Sequence, residues 1–325
     1  MRISTEKNGL HKAKLGKKDE FYTQLVDIEK EMVHYREQFK DKHVFLNCDD
    51  PTWSNFYMFF NLNFEFLGLK QLTATHYNKD KSSYRLDVYP GSEKVAINGV
   101  EMSKGIETGL VGDGDFRSEE SIDILKEADI VVTNPPFSLF REYIAQLFDH
   151  GKQFIILGNM NAITYKEIFP FFKSNELWYG HSITSGDREF RVPDNYPLTA
   201  SGFRIDEEGN KFVRVKGVRW FTNMDHNRRH EELVLYRKYD PETYPAYDNY
   251  NAINVDKTKH IPIDYEGAIG VPITFMDKYN PEQFEILGLD RYMEDNPKYG
   301  KRFDLNGKEK YARILIQHKN TQSKE

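Results

Sequence analysis

Short apolar runs of strand length alternate with helical stretches through the first half of the chain, and this alternation constrains the fold most strongly. Buried strands are predicted by four apolar runs, at His43–Asn47, Gln71–His76, Ile130–Thr133 and Gln153–Leu157. Apolar residues recur at helical spacing between these runs, at Ser54–Leu67, Ser118–Ala128 and Phe140–His150. Strands separated by helices predict an α/β protein with a parallel, doubly wound sheet. Ligands of such sheets bind beyond the carboxyl ends of the strands, so the residues that follow each run are site candidates.

The segments on either side of this pattern differ in character. Residues 1–18 carry six basic side chains against one acid, Glu6, which indicates a basic N-terminal arm. Asp27–Phe39 spaces its apolar residues as an amphipathic helix does. Beyond about Gly180 come strand candidates and a turn signal, followed by a tract rich in Tyr, Asn, Pro and Asp; the strand candidates are Phe203–Ile205, Lys211–Val215 and Val218–Phe221. We therefore expect three parts: an arm over 1–18, a sheet domain over 19–180 and a loop-rich region over 181–325.

Composition narrows the class of protein further. The chain has 45 Lys and Arg against 51 Asp and Glu, a formal charge of −6, so any nucleic-acid contact must come from local basic clusters. Its one cysteine, Cys48, forms no internal disulfide and offers no thiol cluster for zinc. The longest apolar runs are of strand length, far below the roughly 20 residues of a membrane helix. Since no segment resembles a signal peptide either, we expect a cytoplasmic protein.

The strongest local signal is Asn134-Pro135-Pro136-Phe137, directly after the predicted strand that ends at Thr133. Two prolines remove backbone donors and hold the chain extended, so carbonyls and the Asn134 amide can present acceptors to an amino group. Phe137 would add an apolar face on which a planar base stacks. Such a loop suits methylation of an exocyclic or amide nitrogen, which needs alignment rather than a strong base. The alternative is a simple strand-to-turn boundary, but the position directly after a buried strand favours chemistry.

The motif and its surroundings resemble the amino-methyltransferases, and the wider sequence resembles the EcoRI-type adenine-N6 DNA methyltransferases. The segments that carry the resemblance follow one another over nearly the whole chain: Leu10–Lys14, Asp19–Gln24, Asn47–Pro51, Gly112–Ser118, Asp129–Phe140, Ile163–Glu167, Trp220–Asn223, Tyr247–Lys259, Gly270–Phe275 and Asn280–Glu285. The resemblance implies a Rossmann-like, S-adenosylmethionine-dependent methyltransferase domain over 19–180 and a loop-rich C-terminal target-recognition region. It implies methyl transfer from S-adenosyl-L-methionine to an adenine flipped out of duplex DNA, in a restriction-modification system of a bacterial or phage-infected cell.

The same resemblance assigns the site residues. Asn134 and the Pro135 carbonyl would orient the target amine and Phe137 would stack on the base, in the catalytic loop Asn134, Pro135, Pro136 and Phe137. Cofactor contacts are implied for Asp19, Phe21, Tyr22, Thr23, Asn47, Asp49, Asp50, Asp115, Phe116 and Asn134. DNA contacts are expected from the arm and from basic clusters further on: Lys14, Lys17, Lys18, Arg214, Lys216, Arg219, Trp220, Arg228 and Arg229.

Some of these segments have a second interpretation from the residues alone. The first cofactor segment is equally a helix start with Thr23 as the N-cap. Asn and Asp stand where glycines usually follow the first strand, and they tolerate positive φ. Asp113-Gly114-Asp115 also resembles a carboxylate pair for a divalent metal, but the lack of further carboxylates favours a cofactor contact and no metal. The second strand ends at His76 without the acid that commonly holds ribose, so the ribose-binding residue is unassigned.

The target leaves alternatives open as well. Ser182–Gly202 departs most from the family, so a GAATTC-like recognition site is an expectation rather than a consequence of the resemblance. The same motif serves methyltransferases of RNA adenine and of protein glutamine, and a DNA-binding homologue without catalysis is a further alternative. We expect duplex DNA as the partner, functional pairing with a restriction endonuclease, and a monomer.

Overall fold

The computed structural model describes residues 21–48, 50–77, 83–97, 99–193, 196, 202–293 and 300–319. The chain divides into two compact units: the first contains Met1–Asn159 and Gly180–Met224, and the second contains Met160–Tyr179 and Asp225–Glu325. The expected division of labour between residues 19–180 and 181–325 stays a prediction about function. No helix among the described residues is long and apolar enough to cross a membrane.

The helices and strands of the described residues have the following bounds. The α-helices are α1 (Leu25–Met32), α2 (Asn55–Leu62), α3 (Phe64–Leu67), α4 (Glu119–Glu127), α5 (Phe140–Asp149) and α6 (Phe169–Lys173). The strands are β1 (His43–Leu46), β2 (Gln71–Thr75), β3 (Tyr84–Val88), β4 (Lys94–Ile97), β5 (Val100–Ser103), β6 (Ile106–Gly109), β7 (Ile130–Thr133), β8 (Gln153–Asn159), β9 (Trp178–Tyr179), β10 (Arg188–Val192), β11 (Phe203–Ile205), β12 (Lys211–Val215), β13 (Val218–Thr222), β14 (Ala246–Tyr247), β15 (Tyr250–Asn254), β16 (Ile269–Pro272), β17 (Phe284–Leu289), β18 (Asp304–Leu305), β19 (Lys308–Glu309) and β20 (Arg313–His318).

The main sheet of the first unit has a parallel centre and antiparallel edges. Its strands lie in the order β6-β3-β2-β1-β7-β8-β13. β2, β1, β7 and β8 pair in parallel. β3 runs antiparallel to both β2 and β6, and β13 runs antiparallel to β8. The predicted parallel α/β sheet is therefore confirmed at its centre. The carboxyl ends of β1, β2 and β7 consequently lie along one edge of the sheet.

Both faces of this centre are covered, which explains its continuous apolar runs. Alternate residues of β1 and β7 point to opposite faces, and every residue of these two strands is buried. Val44 and Val132 belong to one hydrophobic cluster with Phe56 of α2. On β8, Phe154 is buried and packs its ring edge-on against Phe148 of α5, with centroids 5.5 Å apart.

The predicted helices form with two differences at their ends. Asp27–Phe39 becomes α1 followed directly by a 3₁₀ helix over Val33–Phe39, and its predicted apolar face is buried. The stretch 54–67 divides into α2 and α3 at Asn63, with the Ser54 hydroxyl capping α2 by accepting the Tyr57 N–H at 3.2 Å. The N-cap role for Thr23 is wrong, because the cap position of α1 is Gln24 and its side chain makes no capping bond.

Smaller sheets complete the two units. In the first, β10, β12 and β11 form an antiparallel sheet in that order, which confirms the strand candidates at 203–205 and 211–215. In the second, the expected loop-rich region contains a sheet in the order β14-β15-β16-β20-β17. Its central residues, Ile269, Ile314 and Ile316, are fully buried.

Candidate active site

Hydrogen bonds connect the turn after β1 to the end of β7 and to α5. The Thr133 hydroxyl, at the end of β7, donates to the Asn47 carbonyl, and the Tyr143 hydroxyl of α5 donates to Asn47 Oδ1. The next residue, Cys48, adopts φ 67°, in the left-handed region where related turns use glycine. Positive φ is therefore taken by Cys48 and not by Asn47, where the sequence had suggested Asn or Asp. Burial raises the pKa of Tyr143, which keeps its hydroxyl protonated as a donor.

The side-chain amide of Asn134 forms a hydrogen bond through its nitrogen, whereas its oxygen forms none within the described residues. Its side chain is buried, and Nδ2 donates to the Phe21 carbonyl at 2.6 Å. Among the described residues, Oδ1 has no hydrogen-bond partner. The Phe21 and Phe137 rings lie with centroids 5.6 Å apart. Residues 21–23 therefore lie against the loop Asn134–Phe137, although the two segments are far apart in the chain.

The segment that meets Asn134 is anchored at its backbone. The Tyr22 N–H donates to the Arg191 carbonyl at 2.9 Å, and Asn55 Nδ2 donates to the Thr23 carbonyl at 2.7 Å. Thr23 itself is buried, and its Oγ1 lacks a hydrogen-bond partner within the described ranges. A fixed backbone thus presents a buried hydroxyl that is free to bind a ligand.

His76 follows β2 and supplies a further polar group. Its ring stacks on Tyr84 with centroids 5.3 Å apart, and Nε2 lies 3.4 Å from Asp50 Oδ2. Nδ1 is buried and has no partner among the residues that the structure describes. Burial and the nearby Asp50 carboxylate raise the pKa of Tyr84 to about 12, so this hydroxyl remains a neutral donor. The sequence had indicated only that an acid is missing here, and the contact with Asp50 could not be read from it.

Asp115 and Phe116 occupy a structured turn. The Asp115 carboxylate accepts hydrogen bonds from Arg117, from Nη2 at 2.7 Å and from Nε at 2.9 Å. Phe116 is buried, with its ring edge-on to Tyr143 at 5.0 Å. Gly114 before them takes φ 77°, and a Cβ there would lie 2.2 Å from the His76 carbonyl oxygen. This close approach joins the turn to the end of β2.

An open cleft of about 340 Å³ adjoins the same segment. It is lined by aromatic and polar side chains, including Tyr22, Trp53, Asn55, Arg191 and Phe212. Tyr22 is the immediate neighbour of Phe21, whose carbonyl holds Asn134. A mixed aromatic and polar lining is typical of sites for planar heteroaromatic groups.

The expected DNA contacts divide into exposed and buried residues. Arg214 and Lys216 are exposed, and Arg228 is half-buried. Trp220 is 0% exposed and packs edge-on against Phe56, so its expected contact with DNA is wrong. Asp19, Asp49, Lys14, Lys17 and Lys18 lie outside the described residues.

Two of the expected arginines are also buried, and each has contacts within its own unit. Arg219 donates to the carbonyls of Val218 and Thr184 at 2.8 and 2.9 Å. The Arg229 guanidinium lies 3.4 Å from the centre of the Trp178 ring, and Nη2 donates to Asn175 Oδ1 at 2.7 Å. Since these charges are used inside the protein, the expectation that Arg219 and Arg229 reach phosphates is wrong for this arrangement.

The buried, unpartnered atoms of Thr23, His76 and Asn134 test whether a cofactor fits. Leaving a buried polar atom without a hydrogen bond costs about 1–3 kcal/mol, so a bound ligand that supplies the missing bond is stabilised. His76 follows β2 and Asn134 follows β7, at the edge where Rossmann-like sheets bind nucleoside cofactors. Thr23 is two residues from Phe21, whose carbonyl accepts a hydrogen bond from Asn134 Nδ2. The donor set therefore suits a polar nucleoside ligand. No group of three or more His, Cys, Asp or Glu in the described parts of the chain is placed to hold a metal ion.

Comparison with known proteins gives concordant matches over nearly the whole chain. A family model described as "Adenine-specific methyltransferase EcoRI" matches residues 9–319. The "Type II methyltransferase M.EcoRI" of Escherichia coli is 48% identical over 327 residues, covering 96% of this chain and 97% of that protein. The "Type II methyltransferase M.MgeORF184P" of Mycoplasma genitalium is 38% identical, covering 94% of this chain and 97% of the relative. "Type II methyltransferase M.MpnI" of Mycoplasma pneumoniae is also 38% identical, covering 95% and 98%.

Proposed function

The chain belongs to the EcoRI family of adenine-specific methyltransferases, and we propose that it transfers a methyl group from S-adenosylmethionine to N6 of an adenine in duplex DNA. The observation that carries this proposal is the buried Asn134 amide, with Nδ2 bound to Phe21 and Oδ1 without a partner in the described chain. The exocyclic amino group of adenine can donate the hydrogen bond that Asn134 Oδ1 lacks.

The proposed mechanism depends on orientation. Nδ2 is already used on the Phe21 carbonyl, so the Asn134 amide cannot turn and Oδ1 points to one place. There it accepts a hydrogen bond from the target amine, which turns the nitrogen lone pair out of conjugation with the ring and toward the incoming methyl group. When bound, S-adenosylmethionine would supply that methyl group from its sulfonium and leave as S-adenosylhomocysteine, and the proton that the methylated nitrogen loses would pass to water. Phe137 stacks on the adenine, and no strong general base is needed.

The cofactor contacts follow from the same set of atoms. We propose that Thr23 Oγ1 binds the methionine part, and that His76 Nδ1 with Asp50 receives the ribose hydroxyls. Asp50 stands 3.4 Å from His76 at the end of β2, where Rossmann-like sheets commonly place the ribose. Phe116 and Asp115 lie in the turn that faces the cofactor's adenine ring. Asp115 must share its Arg117-bound oxygens to accept from the adenine amino group.

The biological setting is part of the proposal. A base inside a duplex is out of reach, so the target adenine is flipped out of the helix before transfer. The type II relatives support a role in restriction-modification. We further propose functional pairing with a restriction endonuclease and action as a monomer on DNA in the cytoplasm. A GAATTC-like site is the first recognition sequence to test.

The Asn134→Ala variant tests the carrying observation. We expect its kcat for methyl transfer to fall by about 10²- to 10³-fold, the usual loss for one orienting hydrogen bond in a transition state. The Kd for S-adenosylmethionine, measured by calorimetry, should change little. Asn63→Ala is the control, because it also removes an amide that donates to a backbone carbonyl, Phe59, at 2.8 Å. An Asn134→Ala enzyme with wild-type kcat would contradict the mechanism.

The substrate is tested with labelled S-adenosylmethionine and duplex DNA. We expect incorporation into unmethylated DNA that premethylation of GAATTC sites abolishes. Incorporation that persists on premethylated DNA would support the methyl-transfer reaction but contradict GAATTC as the recognition sequence. Incorporation only into RNA or protein would overturn the DNA substrate. No thermal shift at saturating S-adenosylmethionine would favour a binding-only homologue.

A further inference from the structure

A group of basic side chains in the second unit, of which Lys257 and Lys259 are exposed and Arg237 and His260 are half-buried, has no role in the site described above. The basic cluster consists of Arg237, Lys257, Lys259 and His260. Two chain segments bring it together: Arg237 forms a β-bridge with Pro262, and its carbonyl accepts the Ile263 N–H at 2.8 Å. Lys259 and His260 lie in the 3₁₀ turn Thr258–His260, which directly follows Lys257.

Further contacts hold the cluster in place. The Tyr244 hydroxyl donates to the His260 carbonyl at 2.9 Å, which fixes the turn. Desolvation and the charges of Arg237, Lys257 and Lys259 lower the pKa of His260, so the cations lie within electrostatic reach of one another. The cluster is therefore a concentrated positive surface on a defined backbone.

The nearby acids are occupied elsewhere. Asp256 accepts Arg313 Nη2 at 2.6 Å and lies 3.2 Å from Lys310 Nζ. Asp240 accepts the Thr243 hydroxyl at 2.7 Å, and Asp264 accepts the Tyr239 N–H at 2.7 Å. Across the part of the chain that the structure describes, no carboxylate lies within 4 Å of the charged atoms of the cluster's arginine and lysines. Within the described residues, the arginine and lysines of the cluster therefore have no ion-pair partner.

We infer that the basic cluster binds backbone phosphates of duplex DNA. Phosphodiesters fit because they are closely spaced anions that three separate cations can engage at once. Tyr236, 66% exposed beside Arg237, adds a hydroxyl donor of the kind that contacts phosphates. The inference rests on the proposed function for its choice of anion. The basic cluster would also provide the DNA contact that the sequence analysis assigned to Arg229, whose guanidinium is buried against Trp178.

The test compares two double variants of the full-length protein that lose the same charge. Lys257→Gln/Lys259→Gln removes two lysines of the cluster, and Lys104→Gln/Lys126→Gln removes two exposed lysines that pair with Glu93 and Asp123. Binding to a short duplex is measured at several salt concentrations. The slope of log Kd against log salt should fall by about 1 for each lysine lost from the cluster, and remain at the wild-type value in the control.

A methylation assay separates this role from catalysis. For Lys257→Gln/Lys259→Gln we expect a raised KM for DNA, with kcat and the Kd for S-adenosylmethionine as in wild type. A salt slope equal to that of the control would overturn the inference, as would equal loss of binding to an uncharged-backbone duplex analogue. A wild-type protein that binds duplex through the cluster but methylates no DNA would overturn the proposed function alone.

Discussion

At the scale of single residues, unsatisfied polar atoms locate the candidate chemistry. Asn134, Thr23 and His76 each bury an atom that could bond, and each does so where the backbone around it is fixed. A chain tolerates such atoms when a ligand repays their cost. The site is therefore built before its ligands arrive, which lowers the ordering cost of binding.

The Thr23→Val variant tests this at one hydroxyl. The change is nearly isosteric and removes an Oγ1 that has no partner in the described chain, so the unliganded protein should keep or slightly raise its Tm. Affinity for S-adenosylmethionine should fall about tenfold, the equivalent of one hydrogen bond of about 1.4 kcal/mol. Calorimetric titration and thermal unfolding measure the two quantities.

Thr73→Val is the matched control for that variant. Its hydroxyl is engaged, donating to Asp87 Oδ1 at 2.6 Å and lying 2.8 Å from His43 Nε2. Its loss should lower stability by about 1–3 kcal/mol and leave cofactor affinity unchanged. If Thr23→Val behaved like Thr73→Val, the assignment of Thr23 to ligand binding would be wrong.

The position of Asn134 directly after a buried strand could be predicted from the sequence, and its role stays a prediction. Its bond to Phe21 joins residues 113 apart, which no local pattern shows. The predicted DNA contacts of Trp220 and Arg229 are wrong because residue type, and not backbone position, suggested them. Their types suit DNA contact, yet tertiary packing buries both, since Arg229 finds an aromatic face and an amide partner inside its own unit.

At the scale of secondary-structure elements, a strand of the main sheet could be predicted from the sequence when both of its faces are buried. β1, β7 and β8 contain continuous apolar runs because helices cover both sides of the sheet, whereas β2 is buried from Leu72 to Thr75 although three of its five residues are polar. β6 is exposed along its whole length, and β3 is only partly buried, so neither leaves an apolar signal. The antiparallel edges of the sheet therefore required the structure.

The turn at Gly114 gives a prediction at this scale. Gly114→Ala forces a Cβ to within 2.2 Å of the His76 carbonyl oxygen at a φ of 77°, so both the turn and the end of β2 must shift. We expect a loss of at least about 2 kcal/mol in the free energy of unfolding, measured with denaturant. Binding of S-adenosylmethionine should weaken as well, because His76 moves.

Gly112→Ala, two residues away, is its control. Among the described residues, a Cβ there meets only Glu120 Oε2, at 3.3 Å, which is the end of a side chain rather than a backbone atom, although this carboxylate accepts the N–H groups of Val111 and Gly112. Its effect on stability should stay within about 1 kcal/mol. Equal stability of the two variants would show that the contact between the Gly114 turn and β2 contributes nothing.

At the scale of the whole molecule, one buried acid should shape the dependence of stability on pH. Burial raises the pKa of Asp290 to about 6, although its oxygens accept the N–H groups of Arg291 and Arg313. Between about pH 4 and 6 the unfolded chain releases this proton while the folded protein keeps it. Stability from this group therefore falls as pH rises through that window, by an amount on the order of 3 kcal/mol, and is constant above it.

Thermal unfolding from pH 4 to 8 checks that sign. The Tm of wild type minus that of Asp290→Asn should decrease from pH 4 to about 6 and then level off. Asp206→Asn should give a flat difference over the same range, because hydrogen bonds from Asn210 lower the pKa of Asp206 and its stabilisation is lost only below about pH 4. A flat difference for Asp290→Asn would contradict the raised pKa.

The path of the chain between the two units sets a condition on how the protein is made. The polypeptide passes from one unit to the other after Asn159, after Tyr179 and after Met224. β13, which pairs with β8 at the edge of the main sheet, is synthesised after residues 160–179 of the second unit. A ribosome must therefore release an unfinished piece of the second unit before the first can close. No single cut in the gene, at residue 180 or elsewhere, yields two fragments that each encode one intact unit.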